Sequence, residues 1–410
     1  MKYIPLKKVY YKNIANSQIW QDEYSLRFNS PTTKHLNFIV HEIDRREEFP
    51  LFYCYTEEIT TLINNILTAT LRLFKCIDTA PNAAIKQFLD SSLISEVKFS
   101  NDIEGVRSTR KEIQEALSQI EPQKYVRLWG IVNKYRKIIN NENISLKNCQ
   151  DIRSLYDDFV LQEVIRANPR HFPDGIIFRK DPVNIETATQ KVIHRGQHPE
   201  EKIIHDLENA LDILYDKNIP ALIRISIFHY LFGYIHPFYD GNGRMSRFIT
   251  SYLLSQEIHP TVALHLSFLI KRNRKKYYSL FEDTNSSLNK GDLTPFITSS
   301  LTLIYNTIEN IIGLLNKKIE RFISYLPILD KLTLTDDTSK GIYYVLLQAA
   351  IFSDYGATTE EIATTLKKST KTIKSRISQI PSEEIFIDKT TRPYHYKVNL
   401  STLEKYTSNK

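Results

Sequence analysis

Nine residues, HPFYDGNGR at positions 236–244, bring a histidine, an aspartate, two glycines around an asparagine and an arginine into one short stretch. The glycines interrupt helical periodicity where one apolar segment ends and another begins, which marks a tight turn. A turn that feeds a helix N-terminus aims backbone N–H groups outward at the positive end of the helix dipole, a place suited to phosphate. The side-chain amide of Asn242 is a further donor there. Arg244 and Arg247, spaced i, i+3, share one face of the first turn and can reach a single anion. Basic residues at that end oppose the dipole, a cost that an anionic ligand offsets. Asp240 offers a hard oxygen ligand beside the turn, as a Mg²⁺ held mainly by phosphates and water requires. His236 is the nearby group whose ordinary pKa, about 6.5, suits proton abstraction near neutrality. A lone histidine commonly just packs, and DGNG is commonly just a turn; the combination describes phosphoryl or nucleotidyl transfer.

Extended to HPFYDGNGRMSR, the stretch resembles the Fic family signature HPFx(D/E)GNGRxxR with every specified position filled. The resemblance covers roughly residues 95–325, taking in GIIFRKDPVNI and VIHRGQHPEEKI as a flap hairpin with its following segment, and KKYYSLFEDTNSSLNKGDLTPFI as closing helices. It implies that AMP passes from ATP to a Ser, Thr or Tyr hydroxyl of a target protein, with release of pyrophosphate. His236 would deprotonate the hydroxyl. Asp240 would hold Mg²⁺ on the α- and β-phosphates, Gly241, Asn242 and Gly243 would form the anion hole, Arg244 would bind the outer phosphates and Arg247 the γ-phosphate. Gly243 sets the sequence apart from the kinase-like Doc branch, which carries lysine at that place. A second stretch, SNDIEG at 100–105, matches the family's inhibitory pattern (S/T)xxxE(G/N) through Ser100, Glu104 and Gly105. Ser100 and Glu104 are i, i+4, so a helix presents both on one face. The implied mechanism is competition, with the Glu104 carboxylate pairing with Arg247 in place of the γ-phosphate. Tyr277 or Tyr278 lines the adenine pocket or packs in the core; the sequence leaves both readings open.

The elements that must position these residues are mostly helices. Apolar residues recur at three- and four-residue spacing from about 57 to 140, and again in PEEKIIHDLENALDILYD, IPALIRISIFHYLFGYI with Pro220 in its first turn, and GRMSRFITSYLLSQEI. FPDGIIFRKDPVNI, broken by Pro and Gly around Ile176, Ile177 and Phe178, reads as a small hairpin whose exposed edge suits β-augmentation by a target segment. After LPILDKLTLTDD, a stretch without helical periodicity, TTEEIATTLKKSTKTIKSRISQI reads as a helix-turn-helix, with Thr358 and Glu361 as a capping box and Ser369 as the second cap. EIFIDKTTRPYHYKVNL adds strand-like alternation, and the unit resembles a winged helix. Lys371, Lys374 and Arg376 are left for solvent or phosphate. KRNRKK at 271–276 reads as a solvated helix face. The expected architecture is therefore mainly α: an N-terminal helical region at 1–125, a Fic-type helical core with a β-hairpin flap at 126–330, and a C-terminal winged helix-turn-helix at 331–410.

Composition narrows the class. In 410 residues, 42% hydrophobic and 25% charged is the profile of a soluble globular protein, and 54 basic against 47 acidic residues gives only +7. Cys54, Cys76 and Cys149 form neither a CxxC pair nor a disulfide framework, and no apolar stretch reads as a signal peptide or a membrane span, so a cytoplasmic protein is expected. The expected partners are a target protein and, through the winged helix, either DNA or a docking protein; the sequence is compatible with a homo-oligomer and with no membrane association. Two other readings compete with AMP addition: a DNA-binding regulator whose Fic portion senses nucleotide, and removal of AMP from modified protein.

Overall fold

The computed structural model describes residues 3–186, 190–332, 336–390 and 392–408. The molecule is mainly helical, with its strands confined to short antiparallel sheets: β1 (Thr33–His41) with β2 (Glu48–Cys54), β3 (Asn184–Glu186) with β4 (Val192–Arg195), and β5 (Ala357–Thr358), β6 (Ile385–Asp388) and β7 (His395–Val398) in the order β5-β7-β6. Buried apolar residues from Leu36 to Leu403 form one contiguous core. No helix among the described residues is long and apolar enough to cross a membrane.

The helix Ala221–Ile235 is apolar around its whole circumference, and twelve of its fifteen residues are buried, as expected of a helix enclosed by others. Pro220 stands at its N-cap, one position before the expected first turn. The helix Asn242–Glu257 packs against it, and so does the 36-residue helix Thr294–Leu329. Ile297, Leu301, Ile304, Ile308, Ile311 and Leu315 give that long helix a buried stripe at three- and four-residue spacing. The stripe continues through Tyr325 and Ile328, so the LPIL segment read as irregular is helical; residues 333–335 of that stretch lie outside the described residues.

The helix Asn82–Ile103 is the central beam of the N-terminal half. It packs against the helices Trp129–Ile139, Leu266–Arg272 and Asp337–Phe352, with Phe88, Leu93, Ile94 and Val97 buried. Its fully buried Glu96 accepts hydrogen bonds from Ser267 N (2.9 Å) and Ser267 Oγ (2.5 Å), capping the start of the helix Leu266–Arg272. The β1–β2 hairpin, not anticipated from the sequence, turns Leu36, Phe38 and Val40 inward with period two.

The flap differs from expectation. Ile176, Ile177 and Phe178 form no strand; their N–H groups donate to the Glu200 carboxylate at 2.9, 2.7 and 2.8 Å, which satisfies the backbone without a ladder. The hairpin lies further on, at β3 and β4, and its connecting residues 187–189 lie outside the described residues. In the C-terminal unit the helices Asp337–Phe352, Thr359–Leu366 and Thr370–Ile377 precede the β6–β7 hairpin. Thr358 and Glu361 form the capping box, Ser369 caps the last of these helices, and Ile373 and Ile377 face inward.

Candidate active site

His236 closes the helix Ala221–Ile235 in the left-handed region, at φ 53° and ψ 63°, uncommon for a residue with a side chain. Arg179 holds it there. That guanidinium, completely buried, donates from Nε to His236 O (3.0 Å), from Nη1 to Asp181 O (2.7 Å) and from Nη2 to Gln197 O (2.8 Å), tying the flap segment to the histidine turn. His236 Nδ1 lies 3.3 Å from Gly233 O, a contact that places the proton on Nδ1 and leaves the Nε2 lone pair free. Burial, with the charges of His194 and Arg179 adding to it, pushes the imidazole down to about 3, so it is neutral and able to accept a proton.

The turn that follows is fixed from inside. Asn242 is buried, its Oδ1 accepting from Phe238 N (3.0 Å) and its Nδ2 donating to Phe238 O (2.7 Å). Its side-chain amide is thus spent on the turn and is not the extra anion donor expected from the sequence. Phe238 stacks on Tyr156 with ring centroids 3.7 Å apart. Gly241, at φ 83°, needs the freedom of glycine, and a Cβ there would press on Val160 and Tyr156 at 3.1 and 3.3 Å. Asp240 sits half-exposed at the rim. Its Oδ1 is 3.8 Å from Arg244 Nη2 and its Oδ2 is 4.0 Å from His171 Nδ1.

Arg244 and Arg247 are both buried, on the first turns of the helix Asn242–Glu257. Arg247 donates from Nε to Ser100 Oγ (3.1 Å), from Nη2 to Ser100 O (2.9 Å) and from Nη1 to Glu104 Oε1 (2.6 Å). Burial works against its charge, but the Glu104 carboxylate outweighs this and holds the guanidinium above its ordinary pKa. The same carboxylate lies over the helix N-terminus, where a Cβ on Gly243 would come within 2.1 Å of Glu104 Oε1. An intramolecular anion therefore occupies the positive end of the dipole.

Gly105 explains how Glu104 is presented. The helix Asn82–Ile103 ends with Glu104 at its C-cap and Gly105 at φ 73°. Gly105 N donates to Asp102 O (3.2 Å) and Val106 N to Asn101 O (2.9 Å), the bond pair of a Schellman cap. A Cβ on Gly105 would meet nothing within 4 Å, so the requirement is one of backbone conformation. Glycine and asparagine, the two residues that the (G/N) position of the pattern admits, are those that tolerate this region.

A cavity of about 140 Å³ joins His236, Gly243, Arg247 and Glu104 to Tyr277 and Tyr278. Pockets for organic ligands typically measure about 300–1,000 Å³, so the space is small while Glu104 stays inside it. Both tyrosines line it. Tyr277 is also held from behind by His229 Nε2 at 2.8 Å, while Thr250 Oγ1 lies 2.8 Å from the other ring nitrogen of His229. Arg179, His194, His229 and Glu200 escaped the sequence reading. The seven-residue spacing of His229 and His236 was the available signal for one of them.

Lys371, Lys374 and Arg376 stand on the helix Thr370–Ile377, away from this cavity. Lys371 and Lys374 are exposed, whereas Arg376 departs from expectation by pairing with Asp336 at 2.9 Å. Residues 271–276 are exposed as expected, with Lys271 bonded to Asp102 at 2.7 Å.

Residues 148–254 match the Fic/DOC family model, and the chain carries a Fic/DOC family domain there. Over 156 residues it is 25% identical to protein adenylyltransferase fic-1 of Caenorhabditis elegans, which is 37% of this chain and 28% of the relative. Over 95 residues it is 32% identical to protein adenylyltransferase Fic of Drosophila willistoni, which is 23% and 17%. The chain thus spans under a third of the length of either relative. The crystal structure of a Fic family protein from Desulfovibrio desulfuricans shares the fold, with a TM-score of 0.50 at 18% identity over 85% of this chain and 97% of that one.

Proposed function

We propose that the protein transfers AMP from ATP to a hydroxyl side chain of a target protein, and that Glu104 restrains the reaction. The observation that carries this reading is the seating of Glu104 on Arg247 and over Gly243, beside a neutral His236. An anion site already filled by an internal carboxylate is one that a triphosphate can claim by displacing it.

In the proposed step, His236 Nε2 takes the proton of the target's Ser, Thr or Tyr hydroxyl. The oxygen forms a bond to the α-phosphorus, the bond from that phosphorus to the bridging oxygen of the β-phosphate breaks, and pyrophosphate leaves. The proton remains on the imidazole until solvent or product takes it. Backbone N–H groups of Asn242 and Gly243 and the two buried guanidiniums supply fixed positive charge, needing no reorganisation as the transition state forms, whereas the Gly241 N–H, expected to join them, donates to Asp240 Oδ1 (2.5 Å). The Arg244 Nε, buried without a partner among the described residues, is a donor left over for the outer phosphates. Asp240, half-exposed at the rim, suits a Mg²⁺ held otherwise by phosphates and water, which when bound would neutralise phosphate charge.

The order of helix, short strand, two helices and two strands at 337–398 supports the winged-helix reading, and exposed Lys371 and Lys374 support contact with a DNA backbone. The decisive experiment is incubation with α-labelled ATP and Mg²⁺ in cell extract. Label entering protein with the parent chain and not with His236→Ala is expected; equal labelling by both would end the proposal.

A further inference from the structure

A second cavity, of about 330 Å³, lies where the helices Asn82–Ile103, Arg110–Ser118 and Trp129–Ile139 meet β5 and the helix Thr359–Leu366. Its polar lining includes the acceptors Gln87, Asp90 and Glu361. Gln87 is only 7% exposed, and its Oε1 has no hydrogen-bond partner among the described residues. Asp90, one turn further along the same helix and hence on the same face, makes no hydrogen bond or ion pair among the described residues. Glu361 faces them from the C-terminal unit, with Oε2 taken by Thr358 N at 2.8 Å.

Burial, with the charge of Glu361 adding to it, pushes the Asp90 carboxyl up to about 7, so the two carboxylates are close enough to repel. The nearby cations do not resolve this. Lys86 and Arg136 pull in the opposite direction, but Lys86 is exposed and Arg136 donates from Nη2 to Leu117 O (2.6 Å) and Gln119 O (3.0 Å). Among the described residues no donor bonds to Gln87 Oε1 or to the Asp90 carboxylate, while Glu361 spends Oε2 on Thr358 N and Oγ1 and keeps Oε1; the Tyr355 hydroxyl, also without a partner, lines the same space.

A primary ammonium group carries three N–H donors and one positive charge. Ile94, Leu117 and Ile139 border the same space and would cover a short carbon skeleton. We propose that this cavity binds the primary ammonium group of a small aliphatic amine, with Gln87, Asp90 and Glu361 as its three acceptors. Two sources share that chemistry, a free diamine and an amino acid. Only the amino acid would also place a carboxylate near Lys86 and Arg136.

The test is calorimetric titration of the full chain with putrescine, with L-alanine and with tetramethylammonium, which has the charge but no N–H donor. Saturable binding of putrescine or L-alanine, and none of tetramethylammonium, is expected; the tighter of the two identifies the source. Asp90→Asn should weaken binding by about 10- to 100-fold, the effect of one charge-assisted hydrogen bond. Should that variant fail to fold, Gln87→Glu, which adds negative charge at the same place, should tighten binding. Absence of binding by both amines, equal binding of tetramethylammonium, unchanged affinity in folded Asp90→Asn, or unchanged or weaker affinity in Gln87→Glu would each overturn the proposal. None of these readouts depends on AMP transfer.

Discussion

Glu104 Oε1 lies 2.6 Å from Arg247 Nη1, joining the end of the helix Asn82–Ile103 to the first turns of the helix Asn242–Glu257 across 143 residues of sequence. The pair is one-sided. Arg247 keeps its two bonds to Ser100 if Glu104 leaves, whereas Glu104, partly exposed, can turn to solvent. Displacement of the carboxylate therefore uncovers an arginine that stays in place.

Glu104→Gly is expected to raise AMP transfer, including self-modification, and to tighten ATP binding. A partly buried charge-assisted pair is worth ~1.5–3 kcal/mol, so the change should amount to roughly one to two decades. Adding Arg247→Ala should remove most of the gain. A mutant cycle on α-labelled ATP incorporation at fixed Mg²⁺ measures it, with folding checked for each variant. Unchanged transfer in folded Glu104→Gly would refute the restraint; reduced transfer together with lost removal of AMP from a modified substrate would favour the hydrolytic direction.

Gly105 offers a subtler version of the same test. Gly105→Ala forces a Cβ into the left-handed region at a cost of about 1–2 kcal/mol and should loosen the cap that presents Glu104. Transfer should rise to between the parent and Glu104→Gly, with a lower melting temperature. Gly105→Asn should behave like the parent in both measurements, and identical behaviour of the Ala and Asn variants would refute the cap's role.

The legible parts of this molecule are local ones. The motif of 236–247, the caps at Thr358 and Ser369 and the helical stripes depend on spacings of a few residues, which periodicity and capping chemistry expose directly. What was missed rests on partners far away in sequence. Arg376 looked free because Asp336 is forty residues upstream; the Asn242 amide looked available because nothing in DGNG shows that it would turn back on Phe238. The flap was misplaced because Glu200, more than twenty residues on, satisfies the backbone of Ile176–Phe178 and removes any need for a strand. Arg179 clamps three segments through carbonyl oxygens, and a carbonyl leaves no trace in side-chain pattern.

Stability should fall as pH drops below about 6.5. Burial pushes His194, His229 and His265 down to about 4 and His236 to about 3, so each is neutral when folded and gains a proton on unfolding. Asp90 and Glu96, both pushed up to about 7 by burial, act in the opposite sense by losing protons on unfolding. Between pH 5 and 6 these six groups leave a net uptake of about two protons, which makes the unfolded state more favourable as pH falls. Urea melts across pH 5–7.5 measure the slope; a flat or inverted dependence would contradict the neutral, buried histidines.

If the C-terminal unit binds DNA, Lys371→Ala with Lys374→Ala should weaken duplex binding and reduce its salt dependence by up to roughly two counterions, because both side chains are exposed, and neither lines the cavity at His236. AMP transfer should be unaffected. Titrations of a labelled duplex at several salt concentrations, with the full chain, give both quantities. No duplex binding by the parent at low salt would assign the unit to protein docking.

His236→Ala should reduce transfer by ~10²–10⁴-fold, the usual contribution of a general base, while leaving ATP binding nearly intact. The separation follows from where the side chain sits. Its ring is anchored to Gly233 O and its backbone to Arg179, whereas under the proposed function the triphosphate would be read by the turn and by two arginines on the next helix. In the parent chain the acid limb of kcat/KM for AMP transfer should lie below the ordinary imidazole value of about 6.5, because burial holds His236 neutral well into acid. Transfer by His236→Ala within twofold of the parent would sink the assignment. An acid limb at or above pH 6.5 that survives in Glu104→Gly would show that the base operates in a more solvated environment than the resting turn provides.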